Sequence, residues 1–392
     1  MTGFLLISAC VIAGAWLALR LLSRLPTLAP NVPRLREVVA PDTRLAQAIA
    51  PLAAAKSGLT ELRMIDDPED ALDSRLALVA AADRTIDLQY YIWRNNASGL
   101  RLLGAVRHAA DRGVTVRMLL DDHGIDQLDP LLATLCAHPR IDIRLFNPFV
   151  IRRPKAIGFL VDFFRLNHRM HNKSLTVDTA ATVIGGRNIG EESFGRSKEE
   201  SVVDLDVLAV GAIVADVVAD FDRYWDCRSA FPAETILRDP PSEAPWPLPA
   251  APDDCVDRLL GGPGYRDLPS GVQLTWAHVR MVSDDPAKAR EMAPRAATIG
   301  PRLAAAIGEP KETLLLISAY FVPTESGADA LVKLADNGVS VEILTNSLQA
   351  SNVAGVHAGY APSRLPLLAA GIKLWELKGA HPERRARLKL RS

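Results

Sequence analysis

Residues 85–122 read TIDLQYYIWRNNASGLRLLGAVRHAADRGVTVRMLLDD. Thr85–Trp93 is rich in Ile, Leu, Tyr and Trp, the composition of a buried strand. Ser98–Arg112 carries apolar residues at helical spacing and is stopped by Gly113. Val114–Leu120 is the next strand. Strand, helix and strand form one α/β unit, and the alternation extends both ways. Ala71–Ala82 has helical periodicity, Ile141–Phe146 and Asp204–Val210 read as strands, and Ile213–Ser229 as a helix. This predicts a largely parallel sheet with helices on both faces.

The same unit recurs downstream. Thr85–Trp93 matches Leu314–Val322, Ser98-Gly99 matches Ser326-Gly327, and DRGVTVRMLLDD (111–122) matches DNGVSVEILTNS (336–347). Order and spacing agree, which marks an internal duplication. Between the copies, seven prolines fall between Pro232 and Pro252 and mark a boundary. The expected organisation is an N-terminal helix (1–25), a Pro- and Ala-rich linker (26–60), a first domain (61–231), a Pro-rich linker (232–252) and a second domain (253–392).

The 392 residues suit two domains. Hydrophobic residues are 48% and charged residues 23%, which excludes a disordered chain or a polytopic membrane protein. Lys and Arg number 45 against 46 Asp and Glu, without the basic excess of a nucleic-acid binder. Cys10, Cys136, Cys227 and Cys255 have no metal-ligand spacing and read as unpaired thiols of a reducing compartment. Phe4–Leu19 (FLLISACVIAGAWLAL) is apolar or small throughout. A signal peptide would carry Lys or Arg ahead of this run, and there is none. With Arg20, Arg24, Arg34 and Arg36 downstream, the run predicts a spanning helix with the body of the protein in the cytoplasm.

Chemistry concentrates in HNKSLTVDTAATVIGGRNIG (171–190). It holds His171-x-Lys173-x4-Asp178, then Gly185-Gly186-x-Asn188. Residues two apart in a strand share a face, so His171 and Lys173 can enter one site. An imidazole beside an ammonium suits a phosphate better than a metal. Lys173 can hold a phosphate oxygen as a point charge. Neutral His171 can attack phosphorus to form a covalent intermediate. Asp178 can orient a ring nitrogen, directly or across a paired motif. The glycine pair permits close backbone approach, and Asn188 adds a donor for a phosphate oxygen. No metal or other cofactor is required.

H-x-K-x4-D followed by G-G-x-N resembles the phospholipase D superfamily. LQYYIW (88–93), RMLLDD (117–122), RLFNPF (144–149), RMHNKSLTVD (169–178), DLDVLAVG (204–211), SDDPAK (283–288), SAYFVPT (318–324), ILTNSLQASNVAGVHAGY (343–360) and LWELK (374–378) extend it. Together they resemble its class C cardiolipin synthase branch over roughly residues 60–378. The resemblance implies two similar α/β/α sandwich halves that face each other, each with one motif. It implies one histidine as the phosphatidyl-histidine nucleophile and the other as acid and base. It implies glycerophospholipid substrates. The same motif also serves nucleases, but the balanced charge and the N-terminal apolar run argue against nucleic acid and predict a bacterial inner-membrane protein.

The chain departs from this pattern in its second half. His357-Ala-Gly and His381-Pro-Glu are not His-x-Lys. The step of 58 residues from Gly113 to His171, taken from Gly338, ends at position 396, past Ser392. The expectation is a second half incomplete before its own motif and a phosphatidyltransferase crippled by that loss. The rival readings are an inactive membrane-bound remnant or binding module, and a phosphodiesterase acting on nucleic acid.

Other candidates have plainer readings. Residues 150–170 carry five basic residues against Asp162, with Ile157, Leu160, Val161 and Phe164 at helical spacing. This is either an interfacial segment attracted to anionic lipid or a helix packed on the domain. Asp121-Asp122 and Asp204/Asp206 read as hydrogen-bonded carboxylates rather than metal ligands. His123 and His357 fall near strand ends and are candidates for the pocket wall, while Tyr90, Tyr91 and Trp93 read as core and pocket wall.

Overall fold

A computed structural model describes residues 2–27, 42–197, 202–237, 275–290, 294–351 and 353–378. Most of the proline-rich stretch, Cys255 and His381 lie outside these residues. The chain divides into two compact units, Met1–Ile299 and Gly300–Ser392.

In the first unit, α1 (Thr2–Leu22) is built from the apolar N-terminal run, and α2 (Arg44–Ala55) occupies the expected linker. Strand β1 (Thr60–Ile65) and α3 (Pro68–Ala81) follow. Then come β2 (Thr85–Ile92), α4 (Ala97–Asp111), β3 (Thr115–Gly124), α5 (Asp129–Cys136) and β4 (Ile141–Phe146). The remaining elements are α6 (Gly158–Leu166), β5 (Ser174–Val177), β6 (Ala181–Gly185), β7 (Asp206–Gly211), α7 (Ile213–Trp225), β8 (Ala230–Pro232) and β9 (Thr275–Ala277). Among the described residues, taken alone, no helix is long and apolar enough to cross a membrane.

The nine strands form one sheet in the order β8-β4-β3-β2-β5-β6-β7-β1-β9. The expectation of a largely parallel sheet holds only for β2, β3 and β4. From β2 to β9 every neighbouring pair is antiparallel. One of these pairs, β5 with β6, comes from the turn after β5. Asp178 and Thr179 both have positive φ, 51° and 49°, a backbone whose twist matches that of paired strands and folds β5 back on β6 as a hairpin. Because β9 pairs with β1, residues downstream of the proline-rich stretch belong to the first unit, and the compact division falls after Ile299.

The second unit carries α8 (Ile299–Ile307) at its start, then β10 (Thr313–Ile317), α9 (Glu325–Asp336), β11 (Ser340–Asn346), α10 (Ala354–Ala369) and β12 (Lys373–Leu377). Strands β10, β11 and β12 pair in parallel, as β2, β3 and β4 do. Local detail also repeats. Asn96 Oδ1 accepts from the Gly99 amide and Thr324 Oγ1 from the Gly327 amide, so equivalent helices share an N-cap. Gly113 and Gly338 close those helices with φ of 101° and 86°.

Behind the motif hairpin sits a buried ionic cluster. Asp206 pairs with Arg75 at 2.9 Å and Arg187 at 3.4 Å, all essentially inaccessible to solvent. Tyr90 Oη accepts from Arg75 Nε at 3.0 Å. Removing one member of such a cluster leaves an uncompensated buried charge. Asp206→Asn is therefore expected to destabilise the first unit by about 3–5 kcal/mol, measured by urea unfolding. A loss below about 1 kcal/mol would show that the cluster is solvated.

Candidate active site

The site is assembled from the C-terminal end of β3. Asp121 and Asp122 are both fully buried there. Asp121 receives Arg169 through Nε at 2.8 Å and Nη2 at 2.6 Å, and the Met170 amide at 2.8 Å. Asp122 receives the Phe149 amide at 2.7 Å and pairs with Arg152 and Lys155. The chain arriving from α6 is thus gripped at the two residues before His171. Gln89 Nε2 adds a contact to Met170 Sδ at 3.1 Å.

His171 and Lys173 follow, just before β5, and both line one pocket. Lys173 Nζ donates to the His171 carbonyl at 2.7 Å and lies 3.1 Å from Nδ1 and 3.4 Å from Nε2 of the ring. The Tyr91 ring packs against the imidazole at 4.7 Å between centroids. Loss of solvent on burial, and then the ammonium charges of Lys173 and Lys288, push the His171 pKa down to about 4. Burial pushes Lys173 down to about 8, with Asp204, Asp121 and Asp206 opposing the shift. Near neutral pH the pair is a neutral imidazole beside a protonated amine. That combination can supply a nucleophile and hold a phosphate oxygen.

Asp178 does not orient His171. It stands beyond the far end of β5, where its carboxylate accepts backbone amides of Asp83, Arg84 and Thr85 at 3.0, 2.8 and 2.9 Å. It ties the hairpin to the start of β2. Nor does Asn188 line the pocket. Its Oδ1 accepts the Ile92 amide at 3.1 Å. The glycine pair has a role the motif alone did not reveal. A Cβ on Gly185 would meet Asp206 Oδ1 at 1.8 Å, and one on Gly186 would meet Asp204 Oδ1 at 2.0 Å. Close carboxylate packing requires glycine at both positions, and Gly185 also lines the pocket beside His171 and Lys173. His123 stacks on Phe149 at 6.0 Å, away from the pocket lining. His357 lies in α10 of the second unit.

Sequence reasoning missed the opposite wall. It is made by residues 281–286, 288 and 289, together with Asp220 and Tyr224 of α7. Arg223 Nη2 donates to Ser283 Oγ at 2.6 Å and to the Asp284 carbonyl at 3.0 Å, and Tyr224 Oη to the same carbonyl at 3.1 Å. SDDPAK (283–288) was visible as a stretch, but nothing local tied it to residues sixty positions earlier.

The family described as cardiolipin synthase, PLD-like domain, matches residues 76–225. Cardiolipin synthase C of Escherichia coli (strain K12) is 44% identical over 344 residues, covering 86% of this chain and 73% of that one. This chain belongs to the phospholipase D-like cardiolipin synthase family. An uncharacterized protein of Helicobacter pylori (strain ATCC 700392 / 26695) is 28% identical over 327 residues, covering 80% of this chain and 65% of its own. The chain therefore spans about two thirds to three quarters of the length of these two relatives. The solved phosphatidylserine synthase of Haemophilus influenzae Rd KW20 shares 11% identity at a TM-score of 0.49, covering 79% of this chain and 67% of that one.

The geometry separates the two polar motif residues by experiment. The His171 ring is expected to titrate near pH 4, followed by NMR of the imidazole. Lys173→Met should move that midpoint upward but not fully back to the ordinary 6.5, because desolvation is the larger cause. Asp178→Ala should leave the midpoint unchanged yet cost roughly 2 kcal/mol through its orphaned amides. A His171 midpoint that follows Asp178 instead would return Asp178 to the orienting role.

Proposed function

We propose that this chain carries the nucleophile-bearing half of a phosphatidyltransferase of cardiolipin synthase type. The observation that carries the reading is the His171–Lys173 pair in one pocket, with the imidazole held neutral beside an ammonium. His171 attacks the phosphorus of a glycerophospholipid while Lys173 holds a phosphate oxygen. The headgroup alcohol departs, leaving a phosphatidyl-histidine, and an incoming alcohol such as phosphatidylglycerol takes the phosphatidyl group. Water in place of that alcohol gives hydrolysis. An alkoxide is a poor leaving group, and a general acid that protonates it contributes about 10²–10⁴-fold. The second half of these 392 residues contains no H-x-K-x4-D motif to supply one.

The membrane is the place of work in this reading. The apolar run of α1 embeds the N-terminus in the bacterial inner membrane, and Arg20 and Arg24 behind it favour a cytoplasmic body. Among the described residues the pocket-lining charges are of both signs, which suits a headgroup better than a polyanionic strand.

The 392-residue chain is expected to turn over phosphatidylglycerol negligibly, measured by separating lipid products. Joined to a segment that carries a second H-x-K-x4-D motif, it should gain about 10²-fold or more, and His171→Ala should abolish that gain. Full turnover by the 392-residue chain would show that another group supplies the proton. Turnover that survives His171→Ala in the joined protein would remove the mechanism.

A further inference from the structure

Helix α6 runs from Gly158 to Leu166, five residues before His171. Its Val161 and Leu166 are buried, but Leu160, Phe163 and Phe164 are 71%, 53% and 76% exposed. Three large apolar side chains presented to water on one short helix call for a partner. The helix is firmly held. Asn147 Nδ2 donates to the Arg165 and His168 carbonyls at 2.6 and 2.7 Å, and Arg169 Nη1 to the Leu166 carbonyl at 3.2 Å. Whatever α6 rests on therefore fixes the position of the His171 segment.

Two observations identify the partner. First, α1 packs on α6, and the Trp16 indole donates to the Leu160 carbonyl at 3.0 Å. The Arg20 guanidinium lies over the Trp16 ring at 5.2 Å, while Phe4, Leu6, Ile7 and Val11 of α1 are all more than half exposed. A Trp with a following Arg at the end of an apolar helix marks the level of the lipid headgroups. With α1 embedded as proposed above, the Trp16 bond sets Leu160 at that level. Second, the basic residues around α6 are mostly engaged inside the protein. Arg152 and Lys155 pair with Asp122, Arg165 with Asp162 and Arg169 with Asp121. Of the five, Arg153 alone is classed as exposed. Attraction to anionic lipid is thus a minor part of the design, which corrects the polybasic interfacial expectation.

We propose that α6 is a lipid-inserting wedge. Leu160, Phe163 and Phe164 enter the outermost acyl layer of the bilayer beside α1 and hold the His171 pocket at the membrane surface. The occupant is a phospholipid bilayer, irrespective of headgroup charge. The inference rests on the proposed phospholipid substrate, which a pocket fixed at this level can receive without extracting it into water.

The test uses the full chain with 4-fluorophenylalanine at its phenylalanines, in phosphatidylcholine nanodiscs. The position-164 fluorine resonance is assigned by the mild Phe164→Leu change. Doxyl-labelled phosphatidylcholine should broaden that resonance severalfold, as it does Phe4, and leave buried Phe194 sharp. A water-soluble gadolinium chelate should affect it weakly. Adding anionic lipid should change neither result. Broadening by the chelate instead would place Phe164 in water and overturn the proposal. Protection from both agents would mean that protein covers α6, a second copy or another part of the chain, and would overturn it equally. Lipid contact that appears only with anionic lipid would refute apolar insertion. Because the readout needs no catalysis, lipid contact without His171 chemistry would sink the proposed function alone. His171 chemistry with Phe164 in water would sink this inference alone.

Discussion

Two buried carboxylates at the end of one strand organise the site. Asp121 and Asp122 close β3, and neither exposes its side chain to solvent. A buried carboxylate is costly unless charged or hydrogen-bonded partners surround it. Each therefore recruits cations and a backbone amide from the segment between β4 and β5. Asp121 takes Arg169 and Met170, and Asp122 takes Arg152, Lys155 and Phe149. That segment contains α6 and ends at His171. The carboxylates thus fix His171 and the exposed apolar helix together.

The chemistry follows from the surroundings of the two motif residues. Desolvation alone disfavours both charged forms. The ammonium of Lys173 adds to that effect on His171, while nearby Asp204, Asp121 and Asp206 keep Lys173 protonated to about pH 8. Below about pH 4 the imidazole would take a proton and lose its nucleophilic lone pair. Above about pH 8 the phosphate oxygen would lose its cation. Between these limits both groups are in the form that phosphoryl transfer requires.

Much of this was legible in the sequence. The β2-α4-β3 unit was readable from apolar composition, helical spacing and Gly113, and its repeat from Gly338 and the capped Ser-Gly pairs. The pairing of His171 with Lys173 followed from their spacing. What was not legible depended on partners far away in the chain. The sheet looked parallel because the antiparallel pairings of β5, β7, β1 and β9 join strands far apart in the chain, and because nothing in Asp178-Thr179 announced a left-handed turn; neither residue is glycine. Asp178 looked catalytic because it closes the motif, yet three amides of residues 83–85 claim its carboxylate. Gly185 and Gly186 looked like a ligand cradle; Gly185 does line the pocket, and Asp206 and Asp204 fill the space a Cβ would take at either position. The run around α6 left open an interfacial segment or a packed helix, and the acids that hold its basic residues, up to 48 positions earlier, could not be read locally.

The central proposal is that His171 is a nucleophile and that its reaction needs a proton for the leaving group from outside the H-x-K-x4-D motif of these 392 residues. A p-nitrophenyl phosphodiester removes that need, because nitrophenolate leaves without protonation. The 392-residue chain, mixed with such a diester at neutral pH and analysed by intact mass and peptide mapping under alkaline conditions, should release one equivalent of nitrophenolate. It should carry the phosphoryl group on His171, and His171→Ala should show neither event. Absence of a burst, or an adduct on any other residue, would contradict the account.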